Sequence, residues 1–191
     1  MASASPLRYT GVNHVALVCR DMAETVDFYE NVLEMPLVRS IGLGNRGQHF
    51  FFDCGGGSTV AFFWFPNAPE AAPGVASQHF DVRRDGAETA IASMNHLAFN
   101  ISDDRFDAAV ERLKSKGLKV FVINHSDGAD PAPAKPNELT WIRSVYFRDP
   151  NGIALEIAAL TRPFKDADIL VDPVNAAGKP VPRRRKALHP A

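Results

Sequence analysis

The chain has 191 residues, of which 46% are apolar and 23% charged, an ordinary globular composition for one domain or two small ones sharing a core. A formal net charge of -1 gives no global pull toward nucleic acid or anionic lipid. No apolar run approaches the roughly 20 residues needed to span a bilayer, and two cysteines, Cys19 and Cys54, are too few for a disulfide framework. Residues 1–10 lack the apolar core of an export signal, so buried free thiols in a reducing, cytoplasmic setting are expected.

In chain order, residues 13–21 read NHVALVCRD, a strand-like alternation ending at Asp21, where a helix should begin. Asp21 with Glu24 suggests a capping box for a helix over 22–34, whose apolar stripe is Val26, Tyr29, Val32 and Leu33. Strands are expected near 37–41, 48–53 and 59–65. GLGNRG (42–47) has dinucleotide-loop spacing, but a strand-like run follows it, so it reads as a glycine-rich turn. Residues 67–93 form a connecting segment. The pattern then restarts: residues 95–103 read NHLAFNISD, with Asn, His, Ala and Asp at the same four positions as in 13–21. Asp103 is placed to cap a helix over 104–116, closed by Gly117. Strands should follow near 118–123, 140–148 and 153–159, with 124–139 as a long loop over the site. Two modules, 9–66 and 94–160, each read as βαβββ. Residues 161–191, ending near RRRK (183–186), read as an arm or tail.

Alternation places His14, Ala16 and Val18 on one face of the first strand, and His96, Ala98 and Asn100 on one face of its repeat. On the last strand Glu156 shares a face with Ala154 and Ala158. Alanine is a poor strand former, so its recurrence beside each polar residue suggests space kept for a ligand. Two imidazoles and one carboxylate make a three-ligand set with open positions. Such a set suits one divalent metal ion, Fe(II) or Mn(II) by preference, with Zn, Ni or Co possible. Of the aromatic cluster at 50–52 and 62–65, about half should line the ligand face, and Phe62, Trp64 and His49 are the candidate substrate-binding residues. Arg143 and Arg148 read as solvated edge residues.

At these residues the chain resembles the vicinal oxygen chelate superfamily of glyoxalases, bleomycin-resistance proteins and extradiol dioxygenases, over about residues 9–160. The resemblance implies an α+β fold in which two tandem βαβββ modules curl mixed sheet into a cup around one metal held by His14, His96 and Glu156. The strand 58–66 has no residue at the fourth ligand position used by glyoxalase I. The segment VYFRDPNGIALE (145–156) resembles the second half of the extradiol signature, which implies that Tyr146 is the catalytic tyrosine bonding a metal-bound substrate oxygen. Two departures stand against a standard extradiol enzyme: 136–143 contains no histidine, and neither does the start of the fourth strand. His49, His79 and His125 are the remaining candidates for proton transfer.

The sequence therefore predicts a metal-dependent enzyme on an oxygen-chelating, aromatic small molecule, with dioxygenase chemistry first. A glyoxalase-like lyase, isomerase or epimerase is the alternative, and a bleomycin-resistance-type binding protein without turnover is the other. Nucleic-acid and membrane partners are not expected; a homodimer is possible.

Overall fold

The structure is a computed structural model and describes residues 10–72 and 89–182. Two four-stranded mixed sheets carry the fold, one per module. Module 1 contains β1 (His14–Cys19), α1 (Met22–Asp27) continued by a π-helical turn (Phe28–Val32), β2 (Leu37–Gly42), β3 (Gln48–Asp53) and β4 (Thr59–Trp64), in the sheet order β1-β4-β3-β2. Module 2 contains β5 (Leu97–Asn100), a 3-10 turn (Asp103–Arg105) leading into α2 (Phe106–Ser115), then β6 (Phe121–Ser126), β7 (Thr140–Arg148) and β8 (Ala154–Leu160), in the order β5-β8-β7-β6. In each sheet the first strand pairs parallel with the last, and the other pairings are antiparallel. The expected repeat of βαβββ units is the architecture. No helix among the described residues is long and apolar enough to cross a membrane.

Helices cover one face of each sheet and leave the other open. On β1, Val15 and Leu17 are half-buried and Cys19 is buried, while His14, Ala16 and Val18 face outward. The covered face holds an aromatic core in which Tyr29 meets Phe62 at 4.9 Å and Phe52 at 5.3 Å between ring centroids. Fully burying such rings contributes about 2–3 kcal/mol each, so this face fixes the register of β3 and β4. Asp21 caps α1 as expected, its carboxylate accepting from the Glu24 backbone N–H at 3.0 Å.

Three details differ from the sequence reading. Asp103 does not cap the second helix; it opens the 3-10 turn, and its carboxylate meets Arg143. Arg143 is not a solvated edge residue: its side chain is only 12% exposed, lies over the Phe106 ring at 4.4 Å, and pairs with Asp103 and Asp107. The sixth strand begins at Phe121 rather than 118, because the chain first closes α2 with Gly117 at φ +81° and a bond from the Leu118 N–H to the Leu113 carbonyl. The strand consequently runs through Asn124, His125 and Ser126, residues the sequence assigns to the loop.

The modules share one core and are joined by a polar tie. Asp149 is buried at 5% exposure in the β7–β8 turn. Its carboxylate accepts from the backbone N–H groups of Asn151 and Ile153 at 2.9 and 2.8 Å, and the Tyr29 hydroxyl of module 1 reaches it at 3.5 Å. Asn151 accepts from the Arg20 N–H at 2.9 Å. Burial pushes the Asp149 carboxyl above its usual range against these hydrogen bonds, and burial beside Asp149 pushes the Tyr29 phenol well up. Asp149→Ala removes an acceptor from two half-buried N–H groups and leaves the Tyr29 hydroxyl without its partner, and should cost about 2 kcal/mol. Urea denaturation measures this, and an unchanged midpoint would show that the turn and the tie contribute nothing.

Candidate metal centre

The repeated Asn-His pairs do the same thing twice. Asn13 Oδ1 lies 2.8 Å from His14 Nδ1, and Asn95 Oδ1 lies 2.7 Å from His96 Nδ1. An amide oxygen only accepts, so each ring carries its proton on Nδ1 and keeps Nε2 for another partner. For His96 that partner is in place: Nε2 sits 2.9 Å from Glu156 Oε2, with the Glu156 side chain 5% exposed. In the neutral ring this contact opposes a lone pair to a carboxylate, which only a cation between or on them reconciles. A proton on Nε2 satisfies it, and so does a metal ion. The donors thus fit a divalent metal.

The surroundings come from strand register. Ala98 pairs with Glu156 across β5–β8, and Tyr146 pairs with Glu156 across β7–β8. The Tyr146 ring meets His96 edge-on at 5.7 Å, and its hydroxyl lies 3.4 Å from His125 Nε2. The Ser144 hydroxyl, fully buried, lies against Glu156 and Tyr146 without a well-formed hydrogen bond of its own. Burial raises the Glu156 carboxyl, but the hydrogen bond from His96, the Ser144 hydroxyl and the charges of His96 and His125 together bring it below its usual range. Burial, with the neighbouring Glu156 charge, raises Tyr146. Burial lowers His125, with Glu156 opposing and His96 reinforcing the shift.

The equivalent positions of module 1 hold different chemistry. There Ala16 pairs with Ala61, and Ala61 with Phe51, so Ala61 stands where module 2 has Glu156 and Phe51 where it has Tyr146. His14 touches the Phe51 ring edge at 5.9 Å and faces solvent. Among the described residues no three His, Cys, Asp or Glu side chains come together closely enough to hold a metal. His96 and Glu156 are joined within one chain; His14 does not join them.

The comparisons with known proteins agree with this layout. Residues 11–157 match the family model described as the Glyoxalase/Bleomycin resistance protein/Dioxygenase superfamily. The chain belongs to this superfamily. Among its relatives, the metallothiol transferase FosB of Shouchella clausii is 29% identical over 149 residues, covering 77% of this chain and 78% of the relative. Of solved structures, a glyoxalase family protein from Enterococcus faecalis superposes with TM-score 0.54 at 18% identity, over 78% of this chain and 98% of that one. A variant of the fosfomycin resistance protein FosX from Listeria monocytogenes, complexed with Mn(II) and 1S,2S-dihydroxypropylphosphonic acid, superposes with TM-score 0.50 at 21% identity, over 81% and 93%.

Within this superfamily fold, the substrate-lining candidates divide. Phe62 is fully buried on the helix side against Tyr29, and the Trp64 indole N–H donates to the Arg20 carbonyl, so neither lines the open face. His49 does, stacked on Phe63 at 3.6 Å with Phe51 edge-on at 4.3 Å. The open face of β4 carries Thr59, Ala61 and Phe63, and no ligand type, as the sequence reading expects. His125 is the residue sequence reasoning undervalued; the alternation Phe121, Ile123, His125 would have placed it once the strand was extended. His79 lies outside the described residues. Because the folded state resists protonating His125, stability should fall as pH drops below its unfolded value of about 6.5, until the folded pKa is passed. His125→Gln should flatten that slope in metal-free protein, and NMR titration of the wild-type ring should show a midpoint below 6.5; a midpoint above it would contradict the burial.

Proposed function

We propose that the chain is a metal-dependent enzyme that binds a small substrate through two adjacent oxygens, with His14, His96 and Glu156 as ligands. The observation that carries this reading is the His96–Glu156 contact, with Asn95 holding the proton on the far ring nitrogen. Fe(II) or Mn(II) suits two imidazoles and a carboxylate, and such an ion supplies Lewis acidity to a chelating substrate. The Mn(II) in the FosX variant supports a divalent ion of this kind. His14 carries the same prepared ring on the open face of the other module. The centre is therefore completed between two copies, each giving His14 to the other's His96 and Glu156.

Tyr146 and His125 are the proton carriers. Tyr146 presents its hydroxyl beside Glu156, and His125, held neutral by burial, accepts a proton through it at neutral pH. Dioxygenation of an aromatic diol is the first reading, supported by the aromatic open face of His49, Phe51 and Phe63. Thiol transfer is the second, favoured by the 29% identity to FosB.

Two measurements test this. Purified protein should carry stoichiometric metal, and Glu156→Ala and His14→Ala should each lose it. Coexpressed, the two variants should regain about a quarter of the wild-type metal, because half of a statistical dimer population is mixed and each mixed dimer has one intact site. No recovery would refute the shared centre, and metal retained by both single variants would refute the ligand set. Oxygen uptake with a catechol panel and Fe(II) then separates ring opening from thiol addition with Mn(II). In whichever assay is positive, Tyr146→Phe should lower kcat about 100-fold with metal content unchanged; an unaltered kcat would remove Tyr146 from the chemistry.

A further inference from the structure

The open face of module 1 carries a continuous series of rings that leads away from His14. The Phe51 ring lies 5.9 Å from His14, His49 lies 4.3 Å from Phe51, Phe63 stacks on His49 at 3.6 Å, and Phe65 stacks on Phe63 at 5.3 Å. At its far end is an open pocket of about 600 Å³ lined by Val18, Phe65, Pro66, Arg46 and two asparagines, Asn45 and Asn67. Val18 is 49% and Phe65 38% exposed there, which is high for such side chains on a sheet face.

Arg46 is the charged group of this pocket. It is exposed, and among the described residues it has no carboxylate partner; the acid nearest in sequence to the pocket's 66–69 segment, Glu70, is engaged by Arg20 at 2.6 Å. Gly47 fixes its position. At φ +134° its absent Cβ would meet the Trp64 carbonyl oxygen at 1.9 Å, so the 44–46 turn is pressed onto the end of β4 beside Phe65.

We propose that this pocket is a substrate subsite in which Arg46 reads an anionic group at the far end of an elongated aromatic molecule. This rests on the proposed metal-chelating function and adds its substrate class. His14 and Val18 lie four residues apart on β1, roughly 13 Å at strand rise. A flat molecule chelating at His14 and crossing Phe51, His49 and Phe63 brings a carboxylate, sulfonate or phosphate to the guanidinium, which suits planar, forked acceptors.

The probes are 2-naphthoate and its neutral methyl ester, titrated into the full chain by calorimetry. Wild-type protein should bind the carboxylate at least fivefold more tightly than the ester. Arg46→Gln, an exposed change that leaves the fold intact by circular dichroism, should bring the two to parity without weakening the ester. Phe65→Ala should weaken both. Arg39→Gln, also on the open face beside Phe51 but outside the pocket, should leave the preference in place. His96→Ala, which takes one ligand from the proposed metal set, should preserve it too. Equal binding of the two probes by wild-type protein, or a preference that survives Arg46→Gln, or one that disappears in Arg39→Gln or His96→Ala, would overturn the proposal. Metal-free wild-type protein with the preference intact would instead sink the metal-centre reading alone.

Discussion

A carboxylate buried to 4% exposure at Glu156 has to be compensated, and the way this chain compensates it organises the rest of module 2. An unpaired buried charge costs several kcal/mol, more than any single strand pairing returns. The largest compensation comes from one imidazole whose orientation is set by the residue before it. Asn95 Oδ1 lies against Nδ1, which turns Nε2 toward Glu156, where a proton or a divalent cation satisfies both groups. Ala98 beside Glu156 leaves the approach clear, while Tyr146 on the other side supplies a hydroxyl and a ring edge. Each neighbour follows from the pairing of β8 with β5 and β7.

The covered faces make such register possible. Tyr29, Phe52, Phe62, Phe106 and Leu155 are almost wholly buried between the helices and the sheets, and a one-residue slip of β3, β4 or β8 would turn Phe52, Phe62 or Leu155 to the open face. The same packing that specifies the core therefore specifies which side chains stand on the open faces. The tie through Asp149 and Asn151 then holds Arg20, Thr25 of α1 and Tyr29 of the π-helical turn against the β7–β8 turn that precedes Glu156. Burial energy and site geometry are consequently coupled through the short turn from Asp149 to Ile153.

Much of this was legible in the sequence. The Asn-His repeat located both modules, and alternation put His14, His96 and Glu156 on the open faces. What escaped has definite causes. Phe62 and Trp64 were assigned to the substrate face because an all-aromatic run has no alternation to read; only the pairing of Ala61 with Ala16 shows which ring points where. His125 reads as a loop residue from sequence because Gly117 closes α2 with a turn that delays β6 by three residues. Arg143 looked solvated because its partners, Asp103 and Asp107, are 36 residues or more away in sequence.

The register also explains why the two modules carry different chemistry on their open faces. Both copies keep the Asn-His pair, so both offer a ring nitrogen. Only module 2 keeps a carboxylate, and the equivalent position in module 1 is Ala61, with Phe51 in place of Tyr146. With Ala61 in place of an acid, the open face of module 1 is an apolar, aromatic wall of Phe51, His49 and Phe63. In the proposed shared centre this wall faces the His96–Glu156 pair of a second copy, and the exposed His14 at its edge is the ligand that joins them. The two copies thus differ in what their open faces carry: module 2 presents His96 against Glu156 with Tyr146 and His125 beside them, and module 1 presents His14 at the edge of a wall of Phe51, His49 and Phe63.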